Sequence, residues 1–175
     1  MNMNTLHFTS ADAHKASDDW GFNCGPAALC AVTGMTPSQI RPHLLDFESK
    51  RYTNPTLMYE ILSVLRVTWK QTYRGDVAGP RPSAYPRFGL VRIQWEGPWT
   101  KPGVPFAARY RQTHWIATRG DVSSREVFDI NAMTIGGWIT WRLWETELVP
   151  WLIRECVPKG NGCFYPTHGI EIFPT

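Results

Sequence analysis

Three prolines fix where the first helices of this chain begin. Pro26, Pro37 and Pro55 each stand within two residues of a helix-start signal, at Cys24, Thr36 and Asn54 respectively. Proline fits the first helical turn, where its missing N–H would have no partner in any case, and breaks the helix elsewhere. The first predicted helix opens at Cys24, presents Ala27, Ala28, Ala31 and Val32 as a small apolar face, and stops at Gly34. The second opens on Thr36-Pro37-Ser38-Gln39, a capping box, and is limited by Pro42. The third follows Asn54 and sets Leu57, Met58, Ile61, Leu62 and Leu65 at helical spacing.

Beyond these helices the period changes. Residues 67–73 and 88–95 read as strands, the second inside a stretch, 79–105, that holds ten Gly or Pro. Residues 114–118 and 126–130, joined by a polar turn, read as a hairpin. Residues 141–156 have helical periodicity broken by Pro150. Trp138, Trp141, Trp144 and Trp151 mostly fall at spacings of three and seven, which predicts one buried helix face. Residues 169–173 look like a last strand. Helices first and strands second predict an α+β fold, with the helical part packed on an antiparallel sheet. Residues 1–19 are polar and patternless, an expected arm, and 20–175 form one expected domain.

Composition narrows the function classes. The chain of 175 residues is 43% hydrophobic and 19% charged, too apolar for a disordered protein. Its net charge of +3 is scattered, with no basic stripe of the kind nucleic acid selects. No run approaches the roughly 18 apolar residues of a membrane helix, and the first residues lack a signal-peptide pattern. A cytoplasmic protein with free thiols at Cys24, Cys30, Cys156 and Cys163 is the expectation, since no pair has CxxC spacing. Nothing suggests a metal or an organic cofactor.

Cys24 is the residue around which chemistry gathers. A thiol at a helix N-terminus faces the positive end of the helix dipole and unpaired N–H groups, both of which favour the nucleophilic thiolate. Such a nucleophile needs a base, and the base needs an orienting group. His114 opens the predicted hairpin, and Asp129 lies on its return strand, with Asn131 just beyond as a competitor for the orienting role. Trp115 should point to the face opposite His114. Cys30 reads as core. Cys163 with His168 is a rival pair without a helix start or a following acid other than Glu171, and His7, His14 and His43 read as surface residues. Trp95 and Trp99 are candidates to wall a groove.

The string Asn23-Cys24-Gly25-Pro26-Ala27-Ala28-Leu29, a distant His on a strand, and Val127-Phe128-Asp129-Ile130-Asn131 together resemble the papain-like cysteine peptidases. They are most similar to the small bacterial branch that trims leader peptides from exported bacteriocins. The resemblance implies a papain-like fold and thiol-dependent cleavage of a peptide or isopeptide bond. It also implies Cys24 as nucleophile, His114 as base and acid, and Asp129 as orienter. The family places a Gln about six residues before its Cys as an oxyanion donor, whereas Asp18 stands there in this chain. A carboxylate cannot donate, so Asn23, Trp20 or Gln112 would have to supply that hydrogen bond. Residues 52–58 resemble segments of phage and prophage proteins of this type, which would place the protein in a host cytoplasm. The same machinery also serves acyl transfer and deamidation. With Asp18 in the donor position, a catalytically impaired scaffold that binds or inhibits a partner is the reading from another class.

Overall fold

The computed structural model describes residues 24–75, 82–109, 112–155, 157 and 159–173. The expected arm, Asp18, Trp20, Asn23, His7, His14 and Cys156 lie outside the described residues. Helix α1 spans Cys24–Thr33, and Gly34 at φ 71° ends it with its N–H on the Cys30 carbonyl at 2.9 Å. α2, Pro37–Ile40, carries the capping box: Thr36 accepts from the Gln39 N–H, and the Gln39 side chain accepts from the Thr36 N–H. Pro42 closes it after one turn into a 3-10 turn over Arg41–His43. α3 is Phe47–Lys50 and α4 is Pro55–Val64, whose cap Asn54 accepts from the Leu57 N–H at 2.8 Å.

The strands are β1 Thr68–Arg74, β2 Phe88–Trp95, β3 Thr113–Arg119, β4 Glu126–Phe128, β5 Trp138–Thr140 and β6 Phe164–Phe173. They form one antiparallel sheet in the order β1-β6-β2-β3-β4-β5. The α+β architecture, helices first and antiparallel strands second, is therefore observed. Short helices α5 Phe106–Arg109, α6 Trp141–Leu143 and α7 Val149–Glu155 lie between the later strands.

Alternation along the strands explains two apolar clusters, one on each face. Leu90, Trp115, Ala117, Phe128, Ile170 and Ile172 meet α1 to α4 on one side. Val91, Ile93, Trp95, Ile116, Val127 and Ile139 meet Trp144, Val149 and Leu152 on the other. Central strand β2 is covered on both faces and is apolar apart from Arg92 and Gln94, both buried. Its buried Arg92 reaches the hydroxyls of Thr167 and Thr113, both at 3.2 Å.

The second predicted helix opens at its capping box and is limited at Pro42, as expected. Two expectations need correction. The last strand begins at Phe164 and not at Gly169; Pro166, which lacks an N–H, is accommodated by a register shift opposite Arg92/Ile93. The tryptophans do not share a helix face. Gly136 and Gly137, at φ 98° and 79°, turn the chain into β5, which takes Trp138. Thr140 then caps α6, and a π-helical turn over Trp144–Leu148 separates α6 from α7. Trp144 is fully buried, whereas Trp151 is 42% exposed.

The start of α1 is pressed against the loop before α4. A Cβ on Gly25 would sit 2.4 Å from Thr53 Oγ1 and 2.7 Å from Thr53 Cβ, and buried, β-branched Thr53 has little room to yield. Gly25→Ala should therefore lower stability by about 1–3 kcal/mol through overpacking, read as a lower urea midpoint at unchanged slope.

Candidate active site

Strand β4 is short, and its ladder with β3 starts only at Ala117. Upstream of that pair the edge of β3 is open on the β4 side. α1 packs against β3 and β2 so that Cys24, at its first residue, comes to this edge. The thiol is half-buried, and the His114 side chain and the Trp115 backbone N–H are the groups that favour its ionised form. The Trp115 side chain goes to the opposite face, as alternation requires, where its indole donates to the Thr53 carbonyl at 2.7 Å.

His114 Nε2 lies 3.0 Å from Asp129 Oδ2. An ionised carboxylate only accepts, so the proton sits on Nε2 and Nδ1 is the ring nitrogen left for Cys24. Asp129 follows the end of β4 and caps the 3-10 turn over Ile130–Ile135; its Oδ1 accepts from the Asn131 backbone at 2.9 Å and the Asn131 amide at 2.8 Å. The Trp144 indole donates to Oδ2 at 2.9 Å. Asp129 has no exposed surface, so these donors stand in for water. Trp95 stacks on His114 with centroids 6.3 Å apart and planes at 25°.

The structure thus brings Cys24, His114 and Asp129 together in that order. Asn131 does not reach the ring as a competitor; it grips Asp129 instead, because the cap geometry turns both its donors onto Oδ1. Gln112 lies at the foot of β3 with its carbonyl taken by the Trp95 N–H and the Gln94 amide, and it is not among the described groups that act on Cys24. Trp95 packs on the imidazole itself, and Trp99 donates to the Trp95 carbonyl at 2.7 Å. Cys30 is buried in the core. The rival pair is not assembled: Cys163 is exposed ahead of β6, while His168 is buried in mid-strand opposite Arg92 and Arg74. Burial, then those two guanidinium groups, lower the His168 pKa to about 4. Trp144 is the site residue that sequence reading missed. Its spacing predicted a core position, and nothing local marks an indole N–H as aimed at a carboxylate fifteen residues away.

The electrostatics follow from this contact chain. Burial alone pushes the Cys24 thiol up. The His114 hydrogen bond and charge, with the Trp115 N–H, outweigh it and hold the thiol below its ordinary value, against the opposing charge of Asp129. Burial alone pulls His114 down, but the charge and hydrogen bond of Asp129, then those of Cys24, raise it well above its ordinary value. Burial would raise Asp129; the charge and hydrogen bond of His114, the Trp144 indole and the Asn131 N–H lower it. The arrangement is a chain of paired charges suited to a thiolate nucleophile beside an imidazolium.

A cavity of about 400 Å3 opens between residues 97–101 and 159–161. These loops leave the end of β2 and approach the start of β6, the same end of the sheet as His114 near the start of β3. Among the described residues no group of three or more His, Cys, Asp or Glu is placed to hold a metal ion, and no helix is long and apolar enough to cross a membrane. Compared with protein-family models, curated proteins and solved structures, the chain matches none.

The pair His114–Asp129 should leave a pH signature in stability. Asp129 is held below its ordinary carboxylate value, so its contribution is complete above about pH 4 and is lost as pH falls through the folded value. His114 is held above its ordinary value, so its contribution is complete below about pH 6.5 and fades as pH rises through the folded value. The stability gap between wild type and His114→Ala, from urea melts at a series of pH values, should be widest between about pH 4 and 6.5 and narrow on both sides.

Proposed function

We propose that this protein is a papain-like thiol hydrolase that cleaves a peptide or isopeptide bond through Cys24, His114 and Asp129. One observation carries the reading: a half-buried thiol at the first residue of a helix is held below its ordinary pKa by a histidine whose Nε2 lies 3.0 Å from a fully buried carboxylate. Three side chains from a helix start, a strand and a turn converge in the order that nucleophile, base and orienter require.

The chemistry balances with these groups alone. The Cys24 thiolate adds to the carbonyl carbon of the substrate, and the tetrahedral adduct collapses with loss of the C–N bond. The His114 imidazolium gives its proton to the departing amine. A water molecule then attacks the thioester, His114 takes its proton, and Cys24 leaves again as thiolate while the acid is released. Asp129 stays ionised throughout and holds the imidazole in the tautomer that both steps need.

The test starts with the thiol. Iodoacetamide alkylation of Cys24, followed by peptide mass spectrometry across pH, should show an inflection well below the ordinary thiol value of about 8.5. His114→Ala should restore an ordinary profile and slow labelling near pH 6 by about tenfold or more. A second assay exposes a proteome-derived peptide mixture and branched isopeptides to wild type and Cys24→Ala, and reads new termini. Cleavage by wild type alone is the expected result; an ordinary thiol profile in wild type overturns the proposal.

A further inference from the structure

We propose that Trp144 is a positioning residue of the thiol site: its indole N–H and the His114 ring share one oxygen of Asp129, and the indole fixes the plane in which that carboxylate meets the ring. The inference rests on the reading of Cys24, His114 and Asp129 as nucleophile, base and orienter.

The carboxylate has room for about four donors, and four are present. Both Asn131 donors fall on Oδ1 and come from the same turn as Asp129 itself. They tie the carboxylate to its own turn and place no donor on Oδ2. His114, at 3.0 Å from Oδ2, is the group to be oriented. The Trp144 indole at 2.9 Å is the anchor on that oxygen from outside the turn.

The packing points the same way. Trp144 stacks edge-on with Phe164 at 5.3 Å, Phe164 meets Trp95 at 5.6 Å, and Trp95 lies on the His114 ring. The indole and the imidazole are therefore held by one continuous set of rings, with Asp129 bridging its ends. Trp144 is also the first residue of the π-helical turn, a rare backbone form that recurs at functional sites. A residue that merely filled the core would need the ring of a tryptophan but not its N–H aimed at a buried anion. Among the described residues the charges near this set sort into two groups. Cys24, His114 and Asp129 act on one another, while Arg125 and Glu145 face the outer neighbour Trp141.

Trp144→Phe keeps an aromatic ring and removes the donor. In the full chain, the Cys24 alkylation inflection should rise by about one pH unit, because a carboxylate freed to turn supports the imidazolium less well. Labelling at pH 6 should slow several-fold. An unmoved inflection, even with a lower melting temperature, makes Trp144 a core filler and overturns the inference. A downward shift overturns it too, since the indole would then only be draining charge from the carboxylate. Should the variant not fold, wild type labelled with 15N-tryptophan decides. The Trp144 indole N–H signal should titrate with the same inflection as Cys24 alkylation, and a flat signal refutes the coupling. An ordinary thiol profile in wild type would instead refute the underlying reading of the site.

Discussion

The structure depends on how it keeps one negative charge out of water. Asp129 has no exposed surface, and an isolated carboxylate in such a place would take up a proton or pull the fold open. It stays ionised because donors arrive from three separate elements: the ring of His114 on β3, the Asn131 groups of the following turn, and the indole of Trp144 from the helical segment. Each of those elements is fixed by the sheet or by one of its apolar clusters. The charge therefore demands that β3, the turn after β4 and the π-helical turn all reach their places together, and it converts their packing into the orientation of a single imidazole.

Shortness of β4 is the second constraint. A longer strand would continue the ladder past Ala117 and occupy the N–H of Trp115. Because pairing stops there, that N–H serves the thiol, and the start of α1 fills the vacant edge. The same residue links three functions along its length. Its backbone touches Cys24, its indole is tied to the Thr53 carbonyl, and Thr53 lies against Gly25. The absence of a side chain on Gly25 is thus what lets the helix start come close enough for its first residue to meet β3.

Local signals made much of this legible. Caps at Thr36 and Asn54 and Gly34 at a helix end act within a few residues, where sequence spacing and geometry are nearly the same thing, and one hairpin carries Asp129 back beside His114. What escaped was decided at a distance. The tryptophan spacing matched a helix, but Gly136 and Gly137 give the first of them to β5, and the π-helical turn resets the register of the rest. Pro166 disguised the first half of β6, because the bulge that tolerates it exists only when β2 is alongside. Asn131 looked like a rival to Asp129 and is its support, a distinction that depends on backbone angles at a single cap. Trp144 could not be read at all as a partner of Asp129, since a hydrogen bond between two turns leaves no period in the sequence.

The order of the sheet has a bearing on how the molecule comes into being. β6 occupies the slot between β1 and β2, so neither of those two earlier strands touches the other directly. β1 therefore cannot complete its ladder before residues 164–173 have been made. Hairpin closure of β3 on β4 needs a far shorter loop and is entropically favoured early, whereas α1 and β3 lie about as far apart in sequence as β1 and β6. β2 gains its second neighbour in the sheet only when β6, the last of the described strands, pairs with it. Completion of the sheet is thus a late, long-range event, and until then the nascent chain carries an exposed strand edge suited to capture by a chaperone or by another copy.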